Sequence, residues 1–161
     1  MAIQADIGAG ARVFLDLKYH DIPNTVAKAV ESAVRLDVQL LTIHTSGGSA
    51  MMAAAEKAAQ ETAKTLGRSA PLVLGVTVLT SMDAATLSSV GVGRSPLDQV
   101  VHLATLVRDC GLDGVVASPQ ETAAIRAARA ASPHTLKIEV EVTSLAEVRE
   151  ALAAESRTGR R

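Results

Sequence analysis

Tryptophan is absent from this chain, and phenylalanine and tyrosine occur once each, as Phe14 and Tyr19. Modules that hold RNA or single-stranded DNA by stacking bases on aromatic rings lose their physical basis here. Charge of one sign is missing too: 16 basic side chains face 17 acidic ones, and the pI is near 6.4. Apart from the terminal Arg157, Arg160 and Arg161 the cations are scattered, so no nucleic-acid partner is expected. A single cysteine, Cys110, excludes an internal disulfide and a cysteine-based metal cage. That usage fits a reducing, cytoplasmic compartment. No apolar run approaches the roughly 18 residues of a membrane span, and no basic stretch followed by an apolar one opens the chain. Neither a membrane nor a secretory route is expected.

What remains is Ala, Val, Leu and Ile in 161 residues that are 48% apolar, enough for one domain of layered sheets and helices. Short β-branched runs alternate with longer Ala-rich stretches of helical spacing, the pattern of repeated βα units. Strands are predicted at Val13 to Leu17, Val38 to His44, Leu72 to Val78, Gly114 to Ala117 and Leu136 to Val142. Helices are predicted at Pro23 to Arg35, Ser49 to Leu66, Pro96 to Asp109, Pro119 to Ala131 and Ser144 to Ala154, with a short one at Asp83 to Val90. Pro23, Pro96 and Pro119 stand where a first helical turn accepts a residue without an N–H. Ser144 and Glu147 have the form of a capping box, and Gly67 and Gly111 fall where helices should stop.

Parallel strands with right-handed crossovers leave two architectures, an open doubly wound sheet or a β/α barrel. Alternation along Val13 to Lys18 puts Phe14, Asp16 and Lys18 on one face and Val13, Leu15 and Leu17 on the other. Lys137 to Val142 likewise separates Lys137, Glu139 and Glu141 from its aliphatics. Helices on both sides would bury these charges against apolar surface, whereas a barrel interior near its mouth hydrates and pairs them. The expected fold is α/β, a partial (β/α) TIM-type barrel of about five parallel units. A full barrel takes about 250 residues, and a partial one has open edges, so self-association as a homodimer or higher is expected to complete or cover it. Residues 1–12 are left uncertain, with a sixth strand at Ala2 to Ile7 as one option.

The densest polar cluster is Asp16-Leu17-Lys18-Tyr19-His20-Asp21, at the C-terminal end of a predicted strand. Barrel enzymes place their reacting groups there. Asp16 and Lys18 stand about 7 Å apart along a regular strand, within reach of each other through their side chains. An acid, base, acid row holds a lysine proton while a carboxylate repels an approaching anion, equipment for protonating a carbanion. A structural ion pair with Asp21 as a helix cap is the alternative.

Val13-Phe14-Leu15-Asp16-Leu17-Lys18-Tyr19-His20-Asp21-Ile22-Pro23-Asn24-Thr25 resembles the signature of the orotidine 5′-monophosphate decarboxylase family, barrel enzymes that make UMP. The Ile22 to Thr25 extension separates this branch from the related keto-gulonate-phosphate decarboxylases. The likeness continues through Thr42 to Gly48, Gly75 to Met82 and Gly111 to Glu121, and covers Gly10 to Ala131. It implies Lys18, Asp16 and Asp21 as catalytic residues: Lys18 donates the proton to pyrimidine C6 and Asp16 faces the departing CO2. It implies substrate contacts from Asp16, Lys18, Asp21, Ile22, Thr25, Thr80 and Ser81, with Asp21 and Thr25 supplied across a dimer interface near the ribose and Thr80 and Ser81 touching the pyrimidine. The ligand is then orotidylate or UMP, and no metal or organic cofactor is implied.

The family's two opening strands, which supply an Asp for the ribose and a further Lys, have no counterpart before Val13. Its phosphate-binding T-P-G-I-R segment and Gly-Arg loop have none after Ala131. Phosphate binding supplies much of the energy such enzymes spend on the reacting ring, so no efficient activity is expected. Ser132 to Val142, with the helix after it, resembles a strand and helix of quinolinate phosphoribosyltransferase. That suggests a chimera: 13–131 decarboxylase-like, 132–155 foreign, 156–161 a flexible tail. The alternatives are an active decarboxylase completed by a second chain, and a weak nucleotide-binding module without chemistry.

Several weaker signals are set aside. Gly8 to Ala11 begins like a dinucleotide fingerprint, but a strand follows where a helix is needed. His44 and Ser46 lack an orienting acid and a nucleophile elbow. Glu139 and Glu141 share their face with Lys137, which favours a salt-bridged interior. His20, His102 and His134 share no metal-ligand spacing, and Cys110, Met51 and Met52 read as packing residues.

Overall fold

A computed structural model describes residues 12–129 and 137–140. Five strands form one sheet in the order β1-β2-β3-β4-β5, parallel throughout: β1 Phe14–Tyr19, β2 Leu40–His44, β3 Leu72–Val76, β4 Gly114–Ala117 and β5 Lys137–Val140. Spatial order follows chain order without the reversal that defines a doubly wound sheet. The fold is therefore a partial α/β barrel, with the helices α1 Pro23–Arg35, α2 Gly48–Thr65, α3 Ala84–Ser89, α4 Pro96–Asp109 and α5 Thr122–Arg129 in the connections. Among the described residues no helix is long and apolar enough to cross a membrane. The expected strand at Ala2 to Ile7, the helix at Ser144 to Ala154, the tail 156–161 and the side chains of Lys137, Glu139 and Glu141 lie outside the described residues.

Each helix forms for local reasons. Pro23 opens α1, whose Val26, Val30, Ala33 and Val34 recur on one face and are buried. α2 buries Met51, Met52, Ala55, Ala58, Ala59 and Ala63, and the small alanines let it pack closely on α1. Ser95 caps α4 by accepting from Asp98 N–H at 3.2 Å, and Asp83 caps α3 through Thr86 N–H at 2.8 Å. Gly111 ends α4 with φ of 80°, a left-handed turn that side-chain-bearing residues resist. The long predicted helix from Pro119 is divided: a 3-10 turn over Pro119–Glu121, closed by Glu121 N–H donating to Ser118 O at 3.0 Å, precedes α5, and the Glu121 carboxylate accepts from Ser118 N–H at 2.8 Å.

Strand alternation sorts the sheet into two faces. Leu41, Ile43, Val73, Val115 and Ala117 join the helix-side core, while Leu40, Leu72, Leu74, Val76 and Val116 group on the opposite, inner face. Gln39 ties β1 to β2 by accepting from Val13 N–H at 2.7 Å, and Asp113 ties β4 to β3 by accepting from Val73 N–H at 2.9 Å.

One half-buried carboxyl on α2 is poorly satisfied. Glu56 of α2 accepts from Gln60 through Oε1 at 2.8 Å, but Oε2 is buried without a partner. Burial raises its carboxyl above the ordinary range, the Gln60 bond lowers it and the charge of Asp113 raises it further. A carboxyl raised in the folded state contributes its full stability below the unfolded value and loses it as pH rises through the folded value. Glu56→Gln is expected to stabilise the protein by about 1 kcal/mol at pH 7, since the unpaired ionised oxygen is gone, with the gain shrinking toward pH 4. Urea midpoints at both pH values check this; equal midpoints for the two proteins at pH 7 contradict it.

Candidate functional site at the C-terminal rim of β1 and β2

β1 is not the regular strand its alternation suggests. Leu15 pairs with Leu41, yet the next partners are Tyr19 and Ile43, so β1 carries extra residues between them. This is a bulge, and Lys18 within it takes φ of 49°. The expectation that Leu17 shares a buried face with Val13 and Leu15 is corrected: Leu17 is 59% exposed. The register shift lies between Leu15 and Tyr19, the stretch that holds Asp16, Leu17 and Lys18.

Lys18 Nζ lies 2.5 Å from Asp16 Oδ2. The other oxygen, Oδ1, accepts from the Thr42 hydroxyl at 2.8 Å, and the same hydroxyl accepts from Lys18 N–H at 3.0 Å. Burial by itself pushes the Asp16 carboxyl up. The hydrogen bonds from Lys18 and Thr42, with the charges of Lys18 and His44, outweigh it and hold the carboxyl below its ordinary value. His44, the last residue of β2, has its imidazole pushed down by burial and then by the charges of His20 and Lys18, while Asp16 opposes them. The rings of His20 and His44 lie 5.4 Å apart, tilted by 50°. The rim thus gathers a carboxyl held below its ordinary value, the lysine bonded to it and an imidazole pushed down by burial.

The remaining sequence-predicted residues are less closely gathered. Asp21 is exposed and accepts from Ile22 N–H at 2.6 Å. It does not cap α1, whose N-cap is Ile22 without a side-chain bond. Ile22 is 67% exposed, and Thr25 is exposed in the first turn of α1. Thr80 and Ser81 are exposed in the turn beyond β3, which ends at Val76 rather than Val78. Just beyond its end Thr77 donates to Val116 O both from its hydroxyl, at 3.0 Å, and from its N–H, at 3.3 Å. Thr42 and the His20–His44 pair were not selected from the sequence. The signal for Thr42 was present: alternation along β2 puts it with Leu40 and His44 on the inner face, a hydroxyl among aliphatics.

A parallel sheet wound in chain order, with a carboxylate and a lysine paired at the C-terminal ends of its strands, defines a β/α-barrel protein of the kind whose chemistry sits on that rim. Comparison with known proteins narrows this. The chain belongs to the Orotidine 5'-phosphate decarboxylase / HUMPS family, whose model it matches over residues 2–157. It is 60% identical over 119 residues to an orotidine 5'-phosphate decarboxylase of Opitutus terrae, covering 74% of this chain and 50% of that protein. A Moorella thermoacetica protein of the same name is 54% identical over 120 residues, 74% of this chain and 48% of the relative. The chain thus spans about half the length of the curated relatives it matches. Among solved structures, an uncharacterized conserved protein from Geobacillus kaustophilus superposes with a TM-score of 0.78 at 35% identity, over 97% of this chain and 79% of that one. Orotidine 5'-phosphate decarboxylase from Lactobacillus acidophilus gives 0.72 at 34% identity, over 78% of this chain and 56% of that one. The fusion expected at Ser132 is not confirmed, because the family match runs across it.

Proposed function

We propose that this chain carries the proton donor and its partner carboxylate of an orotidine 5′-phosphate decarboxylase site, and that its 161 residues alone turn over substrate inefficiently. The observation that carries the proposal is the Lys18 ammonium at 2.5 Å from Asp16 Oδ2 on the rim where barrel enzymes react substrates. In this reading Asp16, kept ionised, faces the substrate carboxylate and disfavours it, and Lys18 delivers its proton to C6 as CO2 leaves. Asp21 and Thr25 approach the ribose of a neighbouring copy's site, Ile22 adds a substrate contact, and Thr80 and Ser81 meet the pyrimidine. Inefficiency follows if the phosphate grip lies in the half of the relatives' length that this chain does not match, because remote binding energy is what pays for the reacting geometry.

The same reading includes self-association. β1 is an edge of the sheet among the described residues, and Phe14, Leu17 and Ile22 expose large apolar surface beside it. We expect a dimer or higher assembly that covers this edge. The test is loss of orotidine 5′-monophosphate followed across protein concentrations, with sedimentation in parallel. Slow turnover by an associated species is expected. A compact monomer at micromolar concentration contradicts the association, and rapid saturable turnover by this chain contradicts the inefficiency.

A further inference from the structure

The bulge in β1 withdraws the Lys18 N–H from the ladder between β1 and β2, and a polar backbone group in that position needs another partner. It finds the hydroxyl of Thr42, on the neighbouring strand, at 3.0 Å. A threonine hydroxyl has one proton to give. Here it is directed to Asp16 Oδ1 at 2.8 Å, since the Lys18 N–H already occupies a lone pair. With Oδ1 engaged, Oδ2 is the oxygen presented to Lys18 Nζ. Thr42 is itself fully buried, at 0% exposure, so it acts through its two neighbours and touches no substrate.

We propose that Thr42 is a positioning residue for the Asp16–Lys18 pair, one hydroxyl that both closes the β1 bulge at Lys18 and sets the rotation of the Asp16 carboxylate. This rests on the proposed role of the pair in decarboxylation. The same hydrogen bond helps hold the Asp16 carboxyl below its ordinary value, a consequence that can be read without substrate. Removing the hydroxyl while keeping the shape orphans both the Lys18 N–H and Asp16 Oδ1. The serine variant keeps both bonds and loses only a methyl group.

The experiment is an NMR titration of the Asp16 side-chain carboxyl in the full chain, for wild type, Thr42→Val and Thr42→Ser. The midpoint is expected to rise in Thr42→Val and to stay with wild type in Thr42→Ser. A midpoint unmoved by Thr42→Val overturns the proposal, as does a serine variant that behaves like valine. Should Thr42→Val fail to fold, exchange of the Lys18 amide in the wild-type chain decides. Protection supports the Thr42 bond, and exchange at the rate of an unbonded amide overturns it. Turnover that survives removal of the Lys18 ammonium sinks the decarboxylase reading and leaves the titration standing, whereas an indifferent Asp16 midpoint sinks Thr42 alone.

Discussion

On the decarboxylase role proposed for the pair, Lys18→Ala is expected to reduce orotidylate turnover by about 10²- to 10⁴-fold, the usual contribution of a positioned general acid. Lys18 is the cation bonded to Asp16, and its ammonium is the group with a proton to give at that rim. Alanine leaves the Thr42 bond to Asp16 in place but removes both the proton and the charge that help keep the carboxylate ionised. Lys18→Arg is expected to be nearly as poor: guanidinium holds its proton far more tightly, and its planar fork cannot reproduce a single ammonium contact. Folding should change little. The side chains of Lys18 and Asp16 are 29% and 47% exposed, and an ion pair so open to solvent contributes at most about 1 kcal/mol. Single-turnover measurements at high protein concentration, with urea unfolding as a control, check this. Retained turnover in the alanine variant would mean that Lys18 is not the donor.

Gly75→Ala should destabilise the protein by about 2 to 3 kcal/mol, toward the upper range for overpacking a core. Gly75 lies in the middle strand of the sheet, and a Cβ there would stand 2.6 Å from both Thr45 Cγ2 and Val107 Cγ2. Neither methyl can retreat. Thr45 is buried and its hydroxyl donates to Val76 O at 2.8 Å, so rotating the side chain gives up a buried hydrogen bond. Val107 is fully buried in α4, where a β-branched residue has one strongly preferred rotamer. The strand and helix must move apart instead. Gly93→Ala, where an added Cβ meets nothing within 4 Å, is the control and should change stability by no more than about 0.5 kcal/mol. Equal urea midpoints for the two variants would show that the β3–α4 contact is looser than described.

Much of the scaffold is legible in the residues because its signals are local. Pro23 and Pro96 begin α1 and α4 where expected, Arg35 and Asp109 end them, and Gly114–Ala117 forms β4 as predicted. A proline ring, a helical apolar stripe or a β-branched run acts within a turn or two, so sequence alone carries it. The segregation of charge to one face of β1 pointed to a barrel rather than a doubly wound sheet, and the chain-ordered sheet agrees.

The site was legible in membership but not in assembly. Asp16 and Lys18 are found together, as the acid–base pattern suggested, yet regular alternation along β1 misplaced Leu17, and Thr42 on β2 was not selected. Period-two reasoning assumes an unbroken ladder, and a bulge breaks it through pairing with a strand more than 20 residues away. Sequence by itself determined the βα repeat, the limits of α1 and α4 and the residues able to carry a proton. Only the tertiary structure decided where β1 departs from its neighbour and which oxygen of Asp16 faces the lysine. Those outcomes depend on hydrogen bonds between strands that no local preference encodes.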